Sequence, residues 1–266
     1  MDRLKGKVAI VTGSTSGIGI GIATLFAKEG AQVVICGRRK EKGQLVVDEI
    51  TKLGGKASYH FLDLTDFNTI DTLIDDTAKN YGKIDILVNN AANVGLPDGS
   101  VEELTLEMWD NIFNSDLRGA FYAIKKVLPY MKKNGGGSIV NIGSMASCGG
   151  DLGATAYSCA KAGVDMLTSS VALQYGKDNI RCNCVRPGLI VTPQNDAFVP
   201  QLLRDIFLSN IEVNRYGCPE DIGHACVYFA SDESEFVTGQ VINVDGGMNS
   251  HAPTVAQFRQ AGSRTW

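Results

Sequence analysis

The sequence is poor in the residues that build metal centres and disulfide frameworks. It has only three histidines, His60, His224 and His251, and they lie far apart in the chain. Its seven cysteines are an odd number and show neither Cys-x-x-Cys nor Cys/His metal spacing. We therefore expect no metal site, and we expect reduced, mostly buried thiols of the kind found in cytoplasmic proteins.

The chain also lacks a long hydrophobic run and an excess of positive charge. No apolar stretch is long enough to span a bilayer, and residues 1–5 do not resemble the start of a secretion signal. The formal net charge is −4 and the pI about 5.4. These features disfavour membrane association and a nucleic-acid-binding surface, so we expect a cytoplasmic protein that acts on a small molecule.

Hydrophobic residues make up 44% of the 266-residue chain, and they cluster in short β-branched runs that alternate with amphipathic helical patterns. The predicted strands cover residues 8–11, 32–36, 58–62, 84–88, 138–142, 181–185 and 241–244. Continuously apolar strands indicate a sheet covered on both faces, and the alternation indicates parallel βαβ units. The sequence therefore predicts one α/β domain over residues 1–248, with a Rossmann-type, doubly wound parallel sheet of about seven strands.

Two segments do not fit this alternation. Residues 192–215 form a long excursion between a strand and a helix, and residues 249–266 form a tail after the last strand. Both start beyond the carboxyl end of a predicted strand, where open α/β sheets bind their ligands. We predict that residues 192–215 form a substrate lid and that the tail adds a further wall.

A glycine-rich turn follows the first predicted strand. Residues 12–19 read Thr-Gly-Ser-Thr-Ser-Gly-Ile-Gly and lead into a helical pattern. One glycine would permit the tight turn, one would let a pyrophosphate approach the backbone, and one would let the helix pack closely on the sheet. The helix start would then face the phosphates with free N–H groups. The candidate contacts are Gly13, Ser14, Thr15, Ser16, Gly17, Ile18 and Gly19. The other interpretation of this spacing is a glycine-rich turn without a ligand.

The end of the second predicted strand indicates which dinucleotide is bound. An acidic residue there would hold the adenosine ribose hydroxyls, but the chain has Arg38 and Arg39 after Gly37. Guanidinium groups bind phosphate through charge-assisted, forked hydrogen bonds. The pattern favours NADP(H) over NAD(H), with a solvated helix start as the other interpretation.

A candidate catalytic group follows in the predicted helix 154–175. Tyr157 and Lys161 are four residues apart and therefore lie on one helix face. An ammonium group beside the phenol favours the phenolate, which makes Tyr157 a usable proton donor to a carbonyl or acceptor from an alcohol. Ser144, at the end of a predicted strand, could hydrogen-bond the same oxygen. A serine hydrolase is disfavoured because Ser144 has no Gly-x-Ser-x-Gly turn around it.

Together these motifs resemble the short-chain dehydrogenase/reductase family over almost the whole chain. The matching pieces are Thr12-Gly13-x3-Gly17-Ile18-Gly19, Asp63, Asn89-Asn90-Ala91, Ser144, Tyr157-x3-Lys161, Asn183, Pro187-Gly188, Thr192 and Asp245-Gly246-Gly247. The resemblance implies hydride transfer at the nicotinamide, with Tyr157 handling the proton. It further implies that Asp63 and Leu64 contact adenine, that Asn90 lies along the cofactor, that Lys161 binds the nicotinamide ribose, and that Ile190 and Thr192 hold the carboxamide.

Two positions depart from the family pattern. Ala92 stands where the family usually has glycine, and Asp116 stands where it usually has an asparagine that helps to hold a proton-relay water. A carboxylate could still accept a hydrogen bond from water or Lys161, but its charge would also oppose the effect of Lys161 on Tyr157. We therefore predict Asp116 as a candidate relay member.

The substrate is indicated only indirectly. Residues 197–211 would present an apolar helix face that suits a large apolar substrate. The other interpretation is that this face packs on the rest of the domain. Residues 179–190, Asn214-Arg215 and the long tail resemble bacterial bile-acid hydroxysteroid dehydrogenases, which implies a steroid alcohol or ketone, with the 12α-hydroxyl favoured and 7α as rival. The alternatives are a 3-oxoacyl carrier-protein reductase and a non-catalytic NADP(H) sensor. The family resemblance also implies a homotetramer built through helices near residues 102–131 and 154–176.

Overall fold

Seven parallel strands form the central sheet. The computed structural model describes residues 2–92, 98–192 and 199–262. The strands are β1 Val8–Thr12, β2 Gln32–Gly37, β3 Lys56–Phe61, β4 Ile86–Asn89, β5 Gly137–Ile142, β6 Ile180–Pro187 and β7 Val241–Val244. Their order is β3-β2-β1-β4-β5-β6-β7, with parallel pairing throughout. All seven predicted strands are present, and the predicted doubly wound α/β fold is confirmed.

Helices cover both faces of the sheet. They are α1 Gly17–Lys28, α2 Lys40–Lys52, α3 Phe67–Tyr81, α4 Leu106–Phe113, α5 Gly119–Lys133, α6 Thr155–Tyr175, α7 Gln201–Asn210, α8 Pro219–Ala230 and α9 Val255–Gln260. On one face, Ile22 and Phe26 of α1 pack in a buried cluster with Phe229 of α8. On the other face, Leu73 of α3 packs in a second cluster with Val127 of α5. Burying each of these side chains contributes roughly 1.5–3 kcal/mol, which explains the continuous apolar runs of the strands.

The predicted long helix near residues 102–131 is interrupted. It begins at Leu106, and a π-helical turn at Asn114–Arg118 separates α4 from α5. The buried Ser115 hydroxyl lies 3.2 Å from the carbonyl oxygen of Ile112, one turn earlier. Such a side-chain contact competes with the regular backbone ladder, and single π turns are frequent at functional sites. The turn brings Ser115 and Asp116 toward the carboxyl end of the sheet, where β5 and α6 also meet.

The predicted lid and tail are described in part. Residues 193–198, which include Ala197 and Phe198, lie outside the described residues, and α7 begins shortly after them. The tail contacts the end of α7, because His251 Nε2 lies 2.8 Å from the carbonyl oxygen of Asn210. Arg259 of α9 donates to Glu212 at 2.6 and 2.8 Å. Within the described parts of the chain, no helix combines the length and apolar character needed to cross a bilayer.

Candidate active site

A large cavity opens at the carboxyl end of the sheet. Its volume is about 1050 Å³, and its walls come from the residues that follow β1 through β6. The predicted site residues that line it are Gly13, Thr15, Ser16, Gly17, Ile18, Arg38, Arg39, Asp63, Leu64, Asn90, Ser144, Tyr157, Lys161, Ile190 and Thr192. The chain order reverses between β1 and β4, the point at which open α/β sheets form a ligand crevice.

The glycine-rich turn leaves no room for side chains at two of its positions. Gly13 has a φ of +67°, and a Cβ there would lie 2.7 Å from Cα of Ala91. A Cβ on Gly19 would lie 2.5 Å from the carbonyl oxygen of Gly13 and 2.6 Å from the side-chain nitrogen of Asn90. Gly19 does not line the cavity, so its role is close packing of the helix start under the turn. The turn therefore presents backbone rather than side chains to the cavity at this point.

Ser14 occupies a different position from its neighbours in the turn. Its hydroxyl is fully buried, donates to the carbonyl oxygen of Val11 at 2.6 Å and accepts from the backbone nitrogen of Cys36 at 3.0 Å. These two bonds join the end of β1 to the end of β2. Thr15 and Ser16, in contrast, line the cavity. The structure thus assigns Ser14 to holding the turn in place, and its hydroxyl does not face the cavity.

The end of β2 places two guanidinium groups at one end of the cavity. Arg38 and Arg39 are exposed and line the cavity just before α2. Among residues 2–92, 98–192 and 199–262, neither is paired with a carboxylate. Cations at the start of a helix face the positive end of the helix dipole. The arrangement therefore leaves positive charge at this end of the cavity that an anionic ligand would neutralise.

Asn90 and Thr12 hold β1 and β4 together at the point where the chain order of the sheet reverses. The Thr12 hydroxyl accepts from the backbone nitrogens of Asn90 and Ala91, each at 3.0 Å. The Asn90 side chain donates to the carbonyl oxygen of Thr12 at 2.9 Å. Because its amide is used in this way, Asn90 contributes a fixed wall to the cavity.

The candidate catalytic side chains converge from β5 and α6. Ser144 follows β5, lines the cavity, and accepts from the backbone nitrogen of Ala146 at 3.1 Å. Tyr157 and Lys161 lie on one face of α6, with the Lys161 ammonium 5.6 Å from the centre of the Tyr157 ring. Lys161 is 3% exposed and donates to the carbonyl oxygen of Ile142 at 3.2 Å. The predicted serine, tyrosine and lysine are therefore brought together at one end of the cavity.

Asp116 lies behind this group and does not line the cavity. It is buried, and its carboxylate lies 3.9 Å from the Lys161 ammonium. The Ser115 hydroxyl donates to the same carboxylate at 2.6 Å, and Ser115 does line the cavity. A buried ammonium requires a compensating charge or hydrogen bonds. Asp116 supplies the charge, and Ile142 supplies a carbonyl acceptor.

Sequence reasoning missed Asp98, which meets the start of α6. Its carboxylate accepts from the backbone nitrogen of Ala156 at 3.1 Å and from that of Tyr157 at 2.9 Å. The two segments are 58 residues apart in the chain, so no local capping pattern indicated the contact. Asn141 was also missed: it links β4 to α6 through hydrogen bonds of 2.9 Å to Asn89 and to Thr168.

Comparison with known proteins gives consistent matches over this chain. A family model described as Enoyl-(Acyl carrier protein) reductase matches residues 13–249. The 7α-hydroxysteroid dehydrogenase of Clostridium sardiniense is 40% identical over 260 residues, which cover 97% of this chain and 99% of that protein. The 3-oxoacyl-(acyl-carrier-protein) reductase FabG of Thermotoga maritima is 41% identical over 246 residues, 92% of this chain and 99% of that protein. A solved structure of a 7α-hydroxysteroid dehydrogenase complexed with NADH and 7-oxo glycochenodeoxycholic acid has a TM-score of 0.88 at 35% identity, covering 92% of this chain and 95% of that chain.

The matched region contains the glycine-rich turn, Ser144, Tyr157 and Lys161. The likeness extends to both sequence and fold, and it covers nearly the full length of the relatives as well as of this chain. The resemblance predicted from the motifs is thereby confirmed. This chain belongs to the short-chain dehydrogenase/reductase family of oxidoreductases.

Proposed function

We propose that this protein is an NADP(H)-dependent dehydrogenase that interconverts a secondary alcohol and a ketone on a bile-acid steroid. The observation that carries the redox assignment is the convergence of Ser144, Tyr157 and Lys161 at one end of a cavity of about 1050 Å³. The steroid assignment is supported by relatives named 7α-hydroxysteroid dehydrogenase in Clostridium sardiniense and Bacteroides fragilis.

The residues around the turn fit a dinucleotide. Backbone lines the cavity at Gly13 and Gly17, and a Cβ on Gly17 would project into space, with the Thr192 methyl group 3.8 Å away as its nearest neighbour. This cradle and the start of α1 would hold the pyrophosphate. Asn90, Ile190 and Thr192 would line the nicotinamide half, while Asp63 and Leu64 would contact adenine. When bound, the nicotinamide cofactor supplies the hydride for ketone reduction or accepts it from the alcohol.

The preference for NADP(H) rests on Arg38 and Arg39. A 2′-phosphate between them would receive forked, charge-assisted hydrogen bonds and would neutralise the positive charge at the start of α2. The related 7α-hydroxysteroid dehydrogenase structure contains NADH. At the end of its second strand this chain has no carboxylate that would hold the ribose hydroxyls of NAD(H).

The roles of the catalytic side chains follow from their positions. Tyr157 takes the proton from the alcohol during oxidation and returns it during reduction, while Ser144 hydrogen-bonds the same oxygen. The Lys161 ammonium lies 5.6 Å from the centre of the Tyr157 ring and would bind the nicotinamide ribose. Asp116 holds the Lys161 ammonium in place, since it lies 3.9 Å from it behind the cavity wall. We therefore propose Asp116 as a positioning residue rather than a group that contacts substrate.

An apolar lid suits a steroid. The helix α7 has no buried residue, and its apolar side chains Leu202, Leu203 and Ile206 are 73%, 42% and 50% exposed. A helix with exposed apolar side chains in the segment that follows the cavity residue Thr192 is suited to cover an apolar ligand. We propose that residues 192–215 form this lid on a catalytic domain of residues 1–248, and that the tail, 249–266, supports it through His251 and Arg259.

The hydroxyl group of the steroid that reacts can also be proposed. The 12α-hydroxyl was the favoured expectation from the sequence, whereas the names of three relatives favour the 7α-hydroxyl. We rank 7α first and 12α second, because similarity over nearly the whole chain carries more weight than similarity of short segments.

A second candidate is a 3-oxoacyl-(acyl-carrier-protein) reductase, favoured by the 41% identity to the Thermotoga maritima enzyme. Such an enzyme needs a basic surface for an acidic carrier protein. The basic residues that could form such a surface lie along the π-helical turn and α5, and they are Arg118, Lys125, Lys126, Lys132 and Lys133. Lys126 is paired with Asp71 at 3.0 Å and Lys132 with Asp178 at 2.8 Å, which reduces the positive charge available for docking.

We also propose that the protein forms a homotetramer. Met166 and Leu173 of α6 are 67% and 85% exposed, and Phe121 of α5 is 48% exposed. A surface pocket of about 390 Å³ is lined in part by Phe121 and Leu117. Apolar side chains concentrated on two neighbouring helices are typical of a subunit interface.

The test is a spectrophotometric assay of nicotinamide reduction with bile acids that differ in one hydroxyl. Turnover of cholate and chenodeoxycholate but not deoxycholate indicates the 7α position, whereas turnover of cholate and deoxycholate but not chenodeoxycholate indicates 12α. Each substrate is offered with NADP⁺ and with NAD⁺. Absence of turnover across the panel, together with reduction of a 3-oxoacyl thioester, would replace the steroid proposal by the second candidate.

A further inference from the structure

The helix that carries Tyr157 and Lys161 has no cap of its own. Its N-cap residue is Ala154, which makes no side-chain hydrogen bond, and its first turn contains no acidic residue. The first N–H groups of a helix have no acceptor within the helix and need one from elsewhere. At the start of α6 these groups belong to Thr155, Ala156 and Tyr157.

Asp98 and Gly99 supply all three acceptors. The carbonyl oxygen of Gly99 accepts from the Thr155 hydroxyl at 2.7 Å and from its backbone nitrogen at 3.4 Å. One oxygen of the Asp98 carboxylate accepts from the backbone nitrogen of Ala156 at 3.1 Å, and the other accepts from that of Tyr157 at 2.9 Å. Asp98 therefore caps a helix that begins more than fifty residues later in the chain.

We infer that Asp98 is a positioning residue for the proton-transfer step, because it fixes the turn of α6 from which the Tyr157 side chain projects. A carboxylate that accepts from two N–H groups at once restricts both the translation and the rotation of that turn. Its charge is also favourable at the positive end of the helix dipole. This inference rests on the proposed function of Tyr157 and identifies a group that acts through it.

Asp98 itself does not line the cavity, whereas the helix start that it caps carries Tyr157, which does. Asp98 belongs to the chain segment that follows Asn90 and Ala92, which line the cavity beyond β4. Tyr157 lines it from α6. Because Asp98 contacts the start of α6 and does not line the cavity, its loss should affect the placement of Tyr157 more than the affinity for the cofactor.

The test compares Asp98→Ala with Asp98→Asn and with the control Asp85→Ala. Asp85 also accepts a backbone N–H through its carboxylate, from Val8 at 2.7 Å, but it lies at the opposite, amino-terminal edge of the sheet. Both alanine variants should lose thermal stability. Only Asp98→Ala should lose kcat, by about tenfold or more, because small misplacements of a reacting group have effects of this size. Its Kd for NADPH, measured by fluorescence, should stay within about twofold of the wild-type value.

Asp98→Asn retains one acceptor oxygen and should recover part of the lost kcat. Amide hydrogen–deuterium exchange of a peptide covering residues 154–161 provides a readout that needs no substrate. Exchange should be faster in Asp98→Ala, intermediate in Asp98→Asn and unchanged in Asp85→Ala. Unchanged exchange at this peptide, or an equal loss of kcat in both alanine variants, would overturn the inference. If the wild-type protein oxidises no steroid, the proposed function fails, and the exchange data still decide whether Asp98 holds the start of α6.

Discussion

The positive charge at the end of β2 allows a quantitative prediction of cofactor preference. Arg38→Ala removes a guanidinium that lines the cavity and has no carboxylate partner among the described residues. A hydrogen bond to a charged group contributes about 1.5–3 kcal/mol, and exposure of Arg38 to solvent favours the lower end of this range. Since 1.4 kcal/mol corresponds to a factor of ten, the Kd for NADPH should rise about tenfold. The Kd for NADH should not change, because NADH has no phosphate at this position.

The assay is titration of protein-bound nicotinamide fluorescence with NADPH and NADH at low and high salt. The loss in the variant should be smaller at about 0.5 M salt, where charge interactions at the surface are screened. The matched control is Lys42→Ala, which removes an exposed cation from the first turn of α2, near Arg38 in the chain but not on the cavity wall. Arg39→Ala should behave like Arg38→Ala. Equal losses for NADPH and NADH, or no loss in either arginine variant, would refute the assignment of these residues to the 2′-phosphate.

Three further predictions concern the catalytic group and the tail. Tyr157→Phe should lower kcat by about a thousandfold and retain NADPH binding, whereas Tyr175→Phe, at the far end of the same helix, should retain both; turnover at the wild-type rate by Tyr157→Phe would contradict the assignment of Tyr157 to proton transfer. Asp116→Ala and Asp116→Asn should both lower the melting temperature, because each removes the negative charge whose attraction to the buried Lys161 ammonium at 3.9 Å is about 4 kcal/mol at an effective dielectric constant of ~20; a wild-type melting temperature in Asp116→Asn would contradict the ion pair. The carbonyl oxygens that accept from both ring nitrogens raise the pKa of His251, so the contact between tail and α7 is present below the ordinary imidazole pKa and lost as pH rises through the raised value. The protection factors of the tail amides, which correct the exchange rates for the intrinsic effect of pH, should accordingly fall between about pH 5.5 and about pH 8.5 in the wild type but not in His251→Gln, and pH-independent protection factors in the wild type would rule this out.

The fold could be predicted from the sequence because the signals for its elements are local. A strand buried on both faces needs a continuous apolar run, as β1, β2 and β4 have, and all seven predicted strands are present in the sheet. The helix carrying Tyr157 was predicted over 154–175 and occupies Thr155–Tyr175. The pairing of Tyr157 with Lys161 was predictable for the same reason, since a spacing of four residues places two side chains on one helix face.

The contacts between distant segments were decided only by the tertiary structure. Within one short turn, Thr15 faces the cavity and Ser14 faces inward, because the hydroxyl of Ser14 bonds to the neighbouring strand β2. The π-helical turn sets Asp116 behind Lys161, and Asp98 reaches the start of α6 across a large separation in the chain. Hydrogen bonds and ion pairs of this kind depend on where the packed strands and helices bring side chains together. Local periodicity determined the elements and their order, whereas packing decided which polar groups meet at the site.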